Sequence, residues 1–266
     1  MNTCRIRCLT IVISLFLATG VVSAQEFPTA TPEEVGMSAE RLGYLTAALE
    51  EYVTEGRLAG AVATVVRRGH VVYNEAVGHR DREAGEVMRS NTIFRIASQT
   101  KALVSVGVMM LQEEGLLRIS DPVARYLLAF TETKVAVARE GRGYDIVEAN
   151  RPITIRDLLT HTSGISYGIG PAGDAWRVAE ITGWYFAHRA ESIRLTVDRM
   201  AELPFTAQPG QAWVYGYSTD ILGALIEAVS GIPLDQFIRD WITDPLGMHD
   251  THFYLPESKR HRLATV

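Results

Sequence analysis

The sequence predicts an α+β fold, an antiparallel sheet with flanking helices beside a mostly helical region, and three observations carry that prediction. Two β-branched runs, Ala61 to Arg67 and Val71 to Val77, flank Arg68-Gly69-His70 and read as a β-hairpin. The apolar run Ala102 to Leu111 leaves little polar face, so it reads as a central, buried helix. Helical patterns then fill most of the second half, and no third strand candidate of quality precedes Val266. Two strands alone are marginal in water, so the hairpin needs partner strands from elsewhere.

Composition sets the outer bounds. A chain of 266 residues, 47% hydrophobic and 21% charged, is globular and long enough for one large domain or two small ones. Its net charge of −5 gives no basic footprint, which argues against a nucleic-acid partner. Residues 1–24 read as a signal peptide: Arg5 and Arg7 form the basic start, Leu9 to Ala18 the apolar stretch, and Val22-Ser23-Ala24 the small-residue cleavage site. A membrane span needs a longer apolar run, so no stable span is expected after cleavage. Both cysteines, Cys4 and Cys8, leave with that segment. The expected location is periplasmic or secreted, and a cysteine nucleophile or a cysteine-based zinc site is excluded.

Taken in order, Leu42, Leu45, Leu49, Tyr52 and Val53 recur at helical spacing between a capping Ser38 and a stop at Gly56. The hairpin follows, then a polar, glycine-containing connection over 78–92. The helix carrying Ser98 runs to Gly115, and Asp121-Pro122 opens a short helix through Tyr126. The charged, glycine-rich stretch Ala136 to Arg151 reads as an exposed excursion. Ile153 to Thr160 is a short helix with Thr154 and Asp157 spaced as a capping box. Residues 166–192 hold Trp176, Trp184, Tyr185 and Phe186 in an irregular stretch that either lines a cleft or anchors a loop. Helices are expected at about Thr196 to Glu202, Thr219 to Ser230 and Leu234 to Thr243.

Chemistry centres on Phe94-Arg95-Ile96-Ala97-Ser98-Gln99-Thr100-Lys101. If Ser98 sits at the helix mouth, the three-residue spacing places its hydroxyl and the Lys101 amine on one face. Serine is a poor nucleophile until something takes its proton, and an amine does so only where burial or positive charge lowers its pKa. Arginine, used almost everywhere else, does not deprotonate in proteins, and Lys101, Lys134 and Lys259 are the chain's three lysines. The alternative is that Ser98 caps a core helix and Lys101 snorkels. Gly164-Ile165-Ser166-Tyr167-Gly168 fits Gly-x-Ser-x-Gly, but a nucleophile elbow needs a strand before it and a helix after it, and the pattern here is a helix and then a loop. His161 closes that short helix and reads as structural; His249, Asp250 and His252 match no metal-ligand spacing and read as a polar turn. The loop Pro209 to Asp220 holds Tyr215 and Tyr217, whose phenols either relay protons or sit at a core edge.

Together, Phe94 to Lys101, Ile153 to Gly164 with its His161-Thr162-Ser163-Gly164, Pro209 to Gly231, and Pro245-Leu246-Gly247-Met248 resemble the serine beta-lactamase-related family, from about Pro32 onward. That family includes class C beta-lactamases, D-Ala-D-Ala carboxypeptidases and the family VIII esterases. The resemblance implies a beta-lactamase/transpeptidase-like fold over 25–266, with Ser98 as the acylated nucleophile, Lys101 as its base and Tyr215 as the tyrosine of a Tyr-x-Asn motif. Tyr215 is preferred to Tyr217 by its distance to Leu222-Gly223. No metal or organic cofactor is implied. Tyr217 stands where lactamases carry Asn and lacks that amide's paired donor and acceptor, which favours a carboxylesterase acting on small or short-chain esters. The alternatives are beta-lactamase or D-Ala-D-Ala carboxypeptidase activity, or a non-catalytic penicillin-binding-like fragment. Family members continue well past Pro245 to Met248, so the chain is expected to be truncated at its C-terminal end. The motif that supplies the second oxyanion donor, and the remaining strands, would then be missing.

Overall fold

The computed structural model describes residues 27–141, 143–187 and 190–265; the expected signal peptide, 1–24, lies outside them. Strands β1 (Gly60–Arg67) and β2 (His70–Asp81) pair antiparallel through the two-residue turn Arg68-Gly69, whose φ values of 51° and 76° suit the tight turn that matches strand twist. A third strand does exist: β3 (Glu86–Val87) pairs with β2. It falls in the stretch expected to be a plain connection. Two residues flanked by Asp, Arg, Glu and Gly carry no period-2 signal, so only the pairing reveals it.

Helix α1 (Ala39–Thr54), capped by Ser38 as expected, lies on the sheet, with Thr46 Oγ1 2.9 Å from the Tyr73 hydroxyl. The sheet edges also take in distant segments. Thr29 bridges Val71, and Ile93 bridges Leu263.

The main core lies in the helical region. Helix α2 (Thr100–Glu113) buries Val104, Gly107, Val108 and Leu111, whereas Ala102, Val106 and Met109 remain exposed along its other side. The helix is therefore half buried rather than enclosed all round. Gly107 sits where an added Cβ would lie 3.0 Å from the Phe237 ring, so its lack of a side chain brings the neighbouring helix close.

Residues 123–125 form a single 3-10 turn in place of the expected short helix. Ala136 to Arg151 is largely exposed, as expected, but it is not a plain loop: β4 (Lys134–Ala138) and β5 (Tyr144–Glu148) form a hairpin with Val135 and Ala136 buried. The Phe205 N–H and carbonyl bond to the Lys134 carbonyl and the Ala136 N–H, both at 2.8 Å, and hold that hairpin to the helical core.

Helix α3 (Ile155–Leu159) is a short one, followed by α4 (Gly173–Val178) and α5 (Ile193–Ala201). Ser192 caps α5 and starts it three residues before the expected Thr196. Helix α6 (Ser218–Ser230) is the hub: Ile221, Leu222, Ala224, Leu225 and Ile226 are fully buried. Helix α7 (Leu234–Ile238) passes into a π-helical turn over 239–243. Among the described residues no single helix is long and apolar enough to cross a membrane.

The capping box predicted at Thr154 and Asp157 is present and carries more than a cap. Asp157 accepts two bonds from Arg151, at 2.7 and 2.9 Å, and one from the Thr154 N–H at 2.8 Å. Burial pushes the Asp157 carboxyl up, but these donors outweigh it and hold it down at about 2. A carboxyl lowered on folding stabilises the native state above its unfolded pKa, and that stabilisation disappears as pH falls through the folded value. Asp157→Asn is therefore expected to cost about 2 kcal/mol at pH 7, a deficit that shrinks between pH 4 and about pH 2, read by urea denaturation at each pH.

Candidate active site

Ser98 lies in the 3-10 turn Ala97–Gln99 that leads directly into α2. The preceding Ala97 has φ of 43°, a left-handed conformation that a residue with a Cβ rarely adopts. In that turn Ser98 is exposed and lines the cavity. At the start of a helical run the Ser98 N–H has no intrahelical acceptor and is available to an oxyanion. Lys101, one turn on, points its ammonium at the same spot, with Nζ donating to Ser98 Oγ at 3.1 Å.

Tyr215 arrives from the other side of the site. Backbone bonds hold its loop against the segment after α3: Val214 N–H to the His161 carbonyl at 2.8 Å, Gly210 N–H to Thr162 at 2.7 Å and Thr206 N–H to Gly164 at 2.9 Å. Gly216 lies so close to this segment that an added Cβ would fall 2.4 Å from the Ile165 carbonyl oxygen. The His161-Thr162-Ser163-Gly164 motif thus acts as a rail for the tyrosine loop. The His161 ring packs 4.8 Å from the Tyr215 ring, Trp213 stacks on Tyr215 at 5.7 Å, and His161 and Trp213 meet each other at 6.1 Å, so the phenol ring is fixed in a three-ring cluster. Burial first, then the Lys101 charge, pulls the His161 imidazole down and keeps it neutral beside the site.

The structure therefore brings together all three residues singled out in the sequence. Lys101 Nζ lies 4.8 Å from the centre of the Tyr215 ring, and hydrogen bonding with Ser98, then with Lys101, lowers the Tyr215 phenol. Burial separates Tyr215 from Tyr217. Tyr217 is enclosed, and its hydroxyl donates to the Gly183 carbonyl at 2.9 Å, a structural bond away from the Ser98 hydroxyl.

The ionisation of Lys101 differs from the expectation. Burial pulls its amine down, but hydrogen bonds to Tyr215 and Tyr167 outweigh that pull, and the net direction is upward. In the resting site Lys101 is an ammonium and Tyr215 is the group tuned toward deprotonation. The three-residue spacing revealed the Ser98–Lys101 pair but not Tyr167, which comes from the Gly164-Ile165-Ser166-Tyr167-Gly168 stretch. There the serine is occupied: Ser166 Oγ donates to the Ile169 carbonyl at 2.6 Å and accepts from the Ile169 N–H at 3.0 Å. Its neighbour Tyr167 faces Lys101. Asp220, in the first turn of α6, also reaches the site; its place after the tyrosines was visible in the sequence, its direction was not.

A cavity of about 970 Å³ opens beside Ser98, with Val104, Ile193 and Leu234 on its apolar side and Trp184, Phe253 and Tyr254 among its aromatic walls. Asp250 is not among the residues lining this cavity. It clamps the C-terminal segment through Arg262 at 2.8 Å and Lys259 at 3.1 Å, which makes the His249 to His252 stretch the polar turn expected from sequence.

Comparison with known proteins gives the family. The family model described as Beta-lactamase matches residues 45–266. Esterase EstB of Burkholderia gladioli is 35% identical over 238 residues, covering 88% of this chain and 56% of its own length. A lovastatin esterase of Penicillium rubens is 34% identical, covering 80% of this chain and 54% of its own. Among solved structures, EstCE1, described as a hydrolase with promiscuous acyltransferase activity, superposes with a TM-score of 0.72 at 30% identity, over 85% of this chain and 56% of its own. The chain spans a little over half the length of these relatives. A serine and lysine one turn apart at a helix mouth, a tyrosine clamped over both, and a matched family model over most of the sequence place the chain in the beta-lactamase family.

Proposed function

We propose that this chain carries the acylation centre of a serine hydrolase, and that its reaction is carboxylester hydrolysis through an acyl-enzyme. The observation that carries the reading is the lowered Tyr215 phenol between a raised Lys101 ammonium and the Ser98 hydroxyl. As Ser98 Oγ attacks the ester carbonyl carbon, its proton passes to the Tyr215 oxygen, and the Lys101 ammonium stabilises the phenolate before transfer. The tetrahedral intermediate places its oxyanion toward the Ser98 N–H. Collapse breaks the bond to the alkoxy group, which leaves with the proton from Tyr215. Water then attacks the acyl-enzyme, gives a proton to the same phenolate, and Ser98 departs with it.

The preference for esters over amides rests on Tyr217. Its side chain is buried and bonded to Gly183, so this position offers no paired amide donor and acceptor to a lactam or peptide side chain. Similarity to two proteins named as esterases supports the same choice. Export to the periplasm or outside the cell, proposed from residues 1–24, is compatible with a small-molecule ester substrate. The test is a comparison of p-nitrophenyl butyrate with a chromogenic cephalosporin. Ester turnover at least about 100-fold faster in kcat/KM is expected, a difference of roughly 2.7 kcal/mol at the transition state. Faster cephalosporin turnover would move the assignment to amide hydrolysis.

A further inference from the structure

We propose that the cavity beside Ser98 receives an ester bearing a positive charge, with the Asp220 carboxylate as the anchor for that charge; this rests on the acyl-transfer reading above and adds the substrate class. Four carboxylates and one cationic side chain line the cavity. The cation, Lys101, is engaged with Ser98, Tyr215 and Tyr167. Two of the carboxylates are also engaged: Glu191 by Arg199 at 2.9 Å and by Tyr185, and Glu227 by the Leu234 N–H at 2.9 Å. Asp235 makes no ion pair or side-chain hydrogen bond among the described residues, and Asp220 draws support only from its own N–H and the nearby charge of Lys101. The cavity is left with excess negative charge, set against an apolar and aromatic wall.

A carboxylate held in such surroundings without a bonded cation is costly. Burial pushes the Asp220 carboxyl up to about 6, with Lys101 opposing the shift from a distance. A ligand ammonium placed against Asp220 restores the missing partner, and the rings of Trp184, Phe253 and Tyr254 offer faces that attract a cation. A neutral ester of the same shape fills the apolar wall equally well but leaves Asp220 as it was. An anionic acyl group would meet Asp220 and Asp235 head on.

The test is calorimetric titration of the whole chain with hexyltrimethylammonium and, separately, with 1-heptanol, in parent and Asp220→Asn proteins. The expected result is at least about tenfold tighter binding of the cation by the parent, falling to less than about threefold in Asp220→Asn, whose fold is checked by circular dichroism. Labelling of Ser98 by a fluorophosphonate should be slowed by the cation more than by the alcohol, which locates the binding. Equal affinity of the parent for the two ligands overturns the proposal without needing the variant. So does a cation preference that survives Asp220→Asn, which would leave Asp220 as a counter-charge for Lys101 alone. Calorimetry requires no turnover, so failure of the acyl-transfer reading shows separately, as the absence of a Ser98 adduct when neither ligand is present.

Discussion

Ser98→Ala is expected to reduce ester hydrolysis by at least about 10⁴-fold, to near the uncatalysed rate, with little change in stability. The size follows from what is removed. Covalent catalysis divides ester hydrolysis into two easier steps, and without Oγ neither exists. Ser166 is not placed to take over, because it is held on both sides by Ile169 and Thr206 Oγ1 donates to it at 3.1 Å. Stability should hold because Ser98 is exposed and its hydroxyl bonds only to groups at the edge of the open cavity, Lys101 and Tyr215, so a change within about 0.5 kcal/mol is expected. Activity surviving in Ser98→Ala would shift attention back to Ser166.

Tyr215→Phe is expected to lower kcat/KM by about 10² to 10⁴-fold, the range of a lost proton-transfer group, with a smaller effect on KM. The ring remains, so packing against His161 and Trp213 is kept while the hydroxyl is lost. The sign of the pH dependence follows from the lowered phenol. Rate should rise with pH as Tyr215 deprotonates, and level off below the ordinary tyrosine range because Ser98 and Lys101 favour the phenolate. Lys101→Met removes that support and should move the rise to higher pH. Lys101→Arg separates charge from basicity, since arginine keeps the positive charge and cannot accept a proton. Residual activity in Lys101→Arg well above that of Lys101→Met would identify Lys101 as the cation that stabilises Tyr215, as its raised amine indicates. Equal loss in both would return the role of base to lysine.

Local signals in the chain were legible where one short stretch decides the structure. Arg68-Gly69 sets a tight turn, Thr154 and Asp157 form a reciprocal cap, and the Ser98–Lys101 spacing puts two groups on one face. Contacts between remote segments were less legible. The β4–β5 hairpin was hidden because its strands are five residues long and only Val135 and Ala136 are buried, while charge and glycine around them read as a loop. Nothing near Lys101 in sequence announces Tyr167, so its amine was expected to be lowered by burial, whereas bonds to two phenols reverse the direction. The exposed side of α2 has the same origin. Residue types at Ala102, Val106 and Met109 suit a core, but which faces meet neighbours depends on α6 and α7.

The most direct measurement is site-mapped mass spectrometry of the chain after brief incubation with a fluorophosphonate, in parent, Ser98→Ala and Tyr215→Phe proteins. A single adduct on the peptide containing Ser98 is expected in the parent, none in Ser98→Ala, and slow formation in Tyr215→Phe. An unlabelled Ser98 in the folded parent, or an adduct on Ser166 instead, would contradict the proposed acylation centre.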